Sequence, residues 1–306
     1  MRLIQNGLLY PMTGREPGKG DILISDGKIL RVEPEIDPAE VGAEQVVDAA
    51  GLHVCPGLVD VHMHLVHASD QPERAVEALC GVALSSGITT AAFVPEADGA
   101  VCPVYHGNVP AEAAKMRTLC MEGLTDEEIT DRMTSAARSG ETLVCQIHDV
   151  DSLRRAVRLR GAAADGPCRM ALAHLTGCGG AVEEIAAAGC PVILGACSLR
   201  GQGSAYALAA RLRRAGVLVA LTADYPATRP HHLPICAGLC VRAGMPAADA
   251  FRAVTADAAR LLGLHHVCGA LRPGLRADLT LYDGDPLRLA SACVAVYTGG
   301  ELAWEK

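Results

Sequence analysis

His53-Val54-Cys55-Pro56-Gly57-Leu58-Val59-Asp60-Val61-His62-Met63-His64 is the stretch whose reading decides the fold. Leu58 to Val61 is a short apolar run with β-branched residues, preceded by Pro56-Gly57, and reads as a buried strand. Side chains two residues apart on a strand project to the same face, which sets His62 and His64 side by side, roughly 7 Å apart at Cα. Two imidazoles at the carboxyl end of a buried strand grip a divalent metal and leave other positions open, as a hydrolytic site requires. Taken alone, His-x-His is more often a pair of polar residues leaving a strand for a loop. The rest of the chain decides between the two readings.

Downstream, apolar strands alternate with helices. Gln71 to Ser86 is amphipathic and stops at Gly87, and Ile88 to Val94 reads as a strand ended by Pro95. Thr125 with Glu128 forms a capping-box signature for a helix closing near Gly140. Strands follow at Leu143–His148, Arg169–His174, Pro191–Leu194 and Val217–Thr222, the last leading to Asp224. Helices are expected at Leu153–Arg160, Val182–Ala188, Ala205–Ala215, Leu233–Ala243 and Ala247–Leu262. This spacing means βαβ units with a parallel sheet, and about eight such units close into a TIM-like (β/α)8 barrel with its site at the strands' carboxyl ends. Residues 96–115 are too few for two ordinary units, which leaves one strand and one helix unplaced and a full or a shortened barrel both open.

Both chain ends carry a different pattern. Asn6-Gly7 between Leu3-Ile4 and Leu8-Leu9-Tyr10 is a hairpin signal, and Ser25-Asp26-Gly27-Lys28 is a second turn between Asp21–Ile24 and Ile29–Val32. No helix signal precedes residue 53, and short strands return at 277–282 and 294–297. The expected organisation is α/β: a small composite β-sandwich of residues 1–53 with 267–306, and a barrel of residues 54–266.

Composition narrows the function. A chain of 306 residues buries a large core, and with half its residues hydrophobic but 3% aromatic, Ala, Val and Leu fill it. A formal charge of −8 with no basic run argues against a nucleic-acid or anionic-membrane partner, and no uninterrupted apolar stretch of about 18 residues exists to span a membrane. Thirteen cysteines, scattered singly, fit reduced thiols in a cytoplasm, and the first residues lack the apolar core of a signal peptide. The expected partner is a small-molecule substrate, and a homo-oligomer is compatible with all of this.

Four strands end in a residue able to hold metal: His62 with His64, His148, His174 and Asp224. Buried strands seldom carry such groups unless something satisfies them, and several at one end are best explained by a shared ion. A divalent ion there, zinc or similar, lowers the pKa of water toward ~7 and polarises a carbonyl, while Asp224 shuttles the proton to the leaving nitrogen.

The run Pro56 to His64, with an Asp at the last strand, resembles the metal-dependent amidohydrolase superfamily. The tail Gly269-Ala270-Leu271-Arg272-Pro273-Gly274-Leu275-Arg276-Ala277-Asp278-Leu279 and Asp285-Pro286 are similar to its closing segment. Ile147-His148-Asp149, Leu172-Ala173-His174-Leu175-Thr176 and Thr222-Ala223-Asp224-Tyr225-Pro226 resemble its imidazolonepropionase-like branch. The resemblance implies that His62 and His64 bind a first metal, with Asp224 as further ligand and general base. It implies that His148 and His174 hold a second metal or the substrate. Two-metal members bridge the ions with a carbamylated Lys or a Glu; here that is Lys115, unless Pro110–Lys115 is a helix, in which case Glu122 takes the strand-end place, and a single ion without a bridge is the third arrangement.

Other residues carry weaker signals. Asp60 buttresses the strand histidines, and His231 and His232 lie in the loop where substrate contacts come, though adjacent loop histidines are usually solvated. Tyr225 stands where similar chains often have His, His67 and His106 have loop contexts, and His265 and His266 look structural. Gly177-Cys178-Gly179-Gly180 reads as a tight turn or an anion cradle. The favoured activity is hydrolysis of an amide C–N bond in a cyclic amide, a dipeptide-like or an N-acyl substrate by a metal-activated hydroxide. The alternatives are a single-metal deaminase on the same scaffold and a degenerate barrel that binds a metabolite.

Overall fold

Strand and helix patterns alternate along the computed structural model, which describes residues 1–65, 72–95, 99–107, 109–111, 115–163, 166–195 and 205–306. The amino end supplies β1 (Arg2–Leu9), β2 (Gly18–Ser25), β3 (Lys28–Glu33), a single helical turn α1 (Pro38–Val41), β4 (Gln45–Asp48) and β5 (His53–Pro56). Next come β6 (Leu58–His64), α2 (Pro72–Leu84), β7 (Ile88–Val94) and three short strands, β8 (Val101–Cys102), β9 (Val104–His106) and β10 (Val109–Pro110). The alternation resumes with β11 (Met116–Leu119), α3 (Asp126–Ser139), β12 (Thr142–Ile147), α4 (Val150–Ala162), β13 (Arg169–His174), α5 (Val182–Ala187), β14 (Val192–Leu194), α6 (Ala205–Arg214) and β15 (Val219–Leu221). Helices α7 (Leu233–Arg242), α8 (Ala247–Arg252) and α9 (Ala256–Leu261) precede the closing strands β16 (Leu279–Tyr282), β17 (Cys293–Thr298) and β18 (Glu301–Glu305).

Three mixed sheets result. The eight-stranded sheet runs β18-β17-β16-β5-β1-β2-β3 with β4 beside β1, so both chain ends share it, joined where β5 pairs antiparallel with β16. A four-stranded sheet runs β10-β9-β7-β6, and a six-stranded sheet runs β15-β14-β13-β12-β11-β8. Pairing is parallel from β11 to β15 and between β6 and β7, as the helical crossovers require. These parallel strands are buried on both faces. Leu143, Cys145, Leu172, Leu194 and Leu221 pack in one cluster, while the alternate positions Val59, Val61, Ala92, Val144, Ala171, Ile193 and Ala220, drawn from both shorter sheets, form another.

Three expectations are corrected, and one open stretch is filled. Asn6-Gly7 is not a hairpin: β1 runs straight through it with a bulge, because Asn6 takes a left-handed backbone (φ 63°) and its N–H reaches Asp21 Oδ1 at 2.8 Å. The amino region does contain a helical turn, capped by Asp37, which accepts the Ala39 N–H at 2.8 Å. In the stretch where the sequence leaves a strand and a helix unplaced, the described residues of 99–111 form short antiparallel pairings, β9 on β7 and β8 on β11. The single helix expected over 247–262 is two, broken at Thr255 (φ −139°, ψ −99°). That break has a purpose: the carbonyls of Ala253 and Val254 accept the N–H groups of Leu221 on β15 and Val59 on β6, both at 2.9 Å. It thus bridges the facing edges of the two shorter sheets.

Where β5 passes into β6, Gly57 admits Thr89: a Cβ at 57 would lie 2.0 Å from Thr89 Oγ1 and 2.7 Å from Thr89 Cβ. Gly57→Ala is therefore expected to lower unfolding free energy by about 1–3 kcal/mol in urea titrations, the range for overpacking a well-filled core; a variant as stable as the parent contradicts this packing.

Candidate metal centre

The carboxyl ends of β6 and β15 face each other, although the strands belong to different sheets. His62 and His64 close β6, and Asp224 lies three residues past Leu221, the end of β15. One ligand atom from each of the three lies within 4.8 Å of the others. His64 Nε2 is 3.6 Å from Asp224 Oδ1, and the rings of His62 and His64 stand 4.8 Å apart at 89°. The Asp224 side chain is fully buried, and that of His64 is 31% exposed and opens the site to solvent.

His62 is also fully buried, and among the described residues neither of its ring nitrogens has a hydrogen-bond partner. Burial first, then the neighbouring His174 and His64, pull its pKa to about 3, so the ring is neutral and carries a free lone pair. A buried polar ring left in this state is costly, and a bound ion is one group that would satisfy it. Two imidazole nitrogens and a carboxylate oxygen are the donor set of a catalytic zinc with an open position, so the residues fit a divalent ion.

Local backbone holds the ligands. Asp224 (φ 57°), His174 (φ 70°) and Leu175 (φ 52°) take left-handed conformations unfavourable for residues with side chains, at the strand ends where function concentrates strain. Asp60 buttresses β6 through the backbone and not through the rings: it accepts the His62 N–H at 3.1 Å, the Thr222 hydroxyl at 2.6 Å and the Ala223 N–H at 3.0 Å. Burial raises its pKa to about 6 against those three donors, with Asp224 adding to the rise. Thr222 was not legible as a site residue in the sequence. A hydroxyl two positions before a strand-end Asp was the available signal.

The other candidates fall in three places. His174 borders the cluster, its Nδ1 3.9 Å from Asp224 Oδ2 and its ring 5.2 Å from that of His62. His148, exposed, stacks on His174 at 6.2 Å. Lys115 is corrected: it precedes β11, its carbonyl accepts the Thr142 N–H at 2.9 Å, and it lines a cavity of about 720 Å³ at the amino ends of the strands. That is the end opposite the cluster, so it cannot bridge ions there. Residues 112–114 of the alternative helix lie outside the described residues; Pro110 is in β10 and Lys115 is not helical. Glu122 is exposed in the turn after β11 and outside the cluster. His231 and His232 are exposed on the short helical turn Pro230–His232.

Tyr225 contributes its carbonyl, which accepts the His64 N–H at 2.9 Å. Gly177 is no anion cradle: its N–H is bound to the His148 carbonyl at 2.9 Å, and a Cβ there would lie 2.6 Å from that oxygen. His106 bonds Thr90 at 2.8 Å on β7, and His265 and His266 contact each other edge-on. His67 lies outside the described residues.

Residues 113–303 match the family model described as amidohydrolase family. A dihydroorotase from Aquifex aeolicus is 28% identical over 118 residues, covering 39% of this chain and 27% of that protein. The chain therefore aligns with about a quarter of the length of this curated relative. Among solved structures, an amidohydrolase from Thermotoga maritima superposes with a TM-score of 0.82 at 22% identity over 100% of both chains. The ochratoxinase of A. niger gives a TM-score of 0.75 at 18% identity, over 100% of this chain and 96% of its own.

Because His62 titrates near 3 in the fold but near ~6.5 when unfolded, the unfolded chain binds its proton more tightly. The metal-free protein therefore loses stability as pH falls from about 6.5 toward about 3, and the depressed His174 and His106 act in the same sense. Asp60 opposes them, since its burial penalty is relieved as pH falls through about 6. His62→Gln is expected to flatten the fall in unfolding free energy between about pH 7 and pH 5, read by urea denaturation with chelator present. An unchanged slope contradicts a buried neutral imidazole.

Proposed function

The chain belongs to the amidohydrolase family, and we propose that it is a metal-dependent hydrolase cleaving the amide C–N bond of a small cyclic, dipeptide-like or N-acyl substrate. The observation that carries this reading is the convergence of His62, His64 and Asp224 from two sheets, with two orphaned buried nitrogens on His62. Support for the substrate class comes from what the relatives are named for, a dihydroorotase and an ochratoxinase. Support for residues 54–266 as a TIM-like barrel, with residues 1–53 and 267–306 as a small β-sandwich, comes from end-to-end superposition on an amidohydrolase and from the buried cluster shared by the two shorter sheets.

His62, His64 and Asp224 would hold one divalent ion, and two imidazoles with a carboxylate are a donor set that suits zinc. When bound, the ion supplies an activated water and polarises the scissile carbonyl. Asp224, buried and 3.6 Å from His64, takes the proton from the attacking water and delivers it to the leaving nitrogen. His174, beside that carboxylate, and the exposed His148 stacked on it face the substrate. The buried thiols, such as Cys55, Cys145 and Cys240, are free, which supports a reducing, cytoplasmic setting; among the described residues no helix is long and apolar enough to cross a membrane.

A second reading has one specific observation in its favour. The described residues contain a single three-ligand cluster, with Lys115 at the wrong end to bridge a second ion, and a single-ion site suits a deaminase. A screen of cyclic amides, dipeptides and N-acyl amino acids, run beside aminated heterocycles with ammonia detection, separates the two.

Zinc-loaded protein is expected to hydrolyse a member of the amide panel, to lose the activity on chelation and to regain it with zinc. His62→Ala is expected to abolish turnover and Asp224→Asn to reduce kcat by about 10²–10⁴-fold, the contribution of a general base, while circular dichroism stays unchanged. Full activity in the metal-stripped protein contradicts the proposal.

A further inference from the structure

We infer that Thr222 is a positioning residue of the metal centre, whose hydroxyl ties the strand of His62 and His64 to the strand of Asp224 and thereby sets the affinity of the site for its ion. The inference rests on the hydrolase reading above. Among the described residues no backbone ladder pairs β6 with β15, so the ligands sit on either side of a seam between two sheets. Backbone bonds cross near it through Val254, Ala253 and Tyr225, but at the level of His62 and Asp224 the crossing is made by side chains.

The hydroxyl of Thr222 touches both sides. Its single proton lies within reach of Asp60 Oδ1 at 2.6 Å and the His62 carbonyl at 2.8 Å, which share it, and its oxygen accepts the Asp224 N–H at 2.8 Å. Asp60 completes the clamp by accepting the N–H groups of His62 and Ala223. Thr222 is 2% exposed and Asp60 is fully buried, so water does not replace these bonds. The side chain is held in one rotamer: a Cβ on Gly195 would come within 2.7 Å of Thr222 Cγ2, so glycine at 195 is what admits the threonine methyl.

The consequence follows from the backbone of Asp224. Its left-handed conformation is unfavourable, and the Thr222 oxygen accepts its N–H. Valine has the shape of threonine but neither donates nor accepts, which strips that N–H of its partner and Asp60 of its shortest donor. The carboxylate is then held relative to the imidazoles across the seam only by the Asp60 bonds to His62 and Ala223 and the Tyr225–His64 backbone bond, and its position loosens. Serine keeps the hydroxyl and loses only the methyl.

Zinc binding to the full chain, measured by competition with a chromophoric chelator, tests this with Thr222→Val and Thr222→Ser, alongside circular dichroism of the metal-free forms. The valine variant is expected to bind zinc about 10–100-fold more weakly, the usual loss when a group orienting a metal ligand is removed, and the serine variant to stay within about threefold of wild type. Wild-type affinity in a folded valine variant overturns the inference. Should the valine variant not fold, serine decides: retained affinity supports the hydroxyl's role, and a loss of about tenfold or more overturns it. Wild-type protein that binds no zinc removes the hydrolase reading and this inference together, whereas tight wild-type binding with an unweakened valine variant removes the inference alone.

Discussion

An imidazole buried with neither nitrogen partnered among the described residues is the group on which the rest of the structure depends. His62 sits at the end of a strand buried on both faces, against a carboxylate and two further histidines. In an apolar interior such a ring is costly unless something accepts its lone pair, and a hydrophobic residue in its place would pack without that penalty. The chain instead keeps His64 and Asp224 within 4.8 Å of it and leaves an opening beside His64. That arrangement makes physical sense around a cation and little sense without one.

The scaffold answers a geometric problem, because the ligands come from the edges of two sheets. The break between α8 and α9 leaves the carbonyls of Ala253 and Val254, between the two helices, as acceptors for the strand amides of Leu221 and Val59. Asp60 and Thr222 then join the strands one level nearer the ligands. Behind them, Gly57 lets β5 of the terminal sheet run directly into β6, so the sheet shared by both chain ends braces the strand that carries both histidines.

Much of this was legible from residues alone. Strands 88–94 and 169–174 and the capping box of Thr125 and Glu128 appear where periodicity and capping chemistry put them, and three of the strand-end residues, His62, His64 and Asp224, come within 4.8 Å of one another. The failures have common physical roots. Asn6-Gly7 carries the left-handed backbone of a tight turn but spends it on a bulge, because Asp21 is there to take the Asn6 amide. The helix break at Thr255 leaves no local signature, since its reason lies in amides nearly two hundred residues away in sequence on β6. Lys115 is the bridging lysine that the resemblance implies, yet which end of a strand a residue occupies depends on register, and register comes from pairing with β12. Thr222 went unnoticed because its partners are backbone groups and a carboxylate from the far end of the chain.

Diffraction from crystals grown with zinc, with anomalous data collected at the zinc edge, tests the central claim most directly. The account predicts one anomalous peak with His62, His64 and Asp224 as its protein ligands, at about 2.0–2.2 Å. A zinc ion held elsewhere, by thiols or surface carboxylates, with the nitrogens of His62 left in contact with protein or solvent alone, would contradict it.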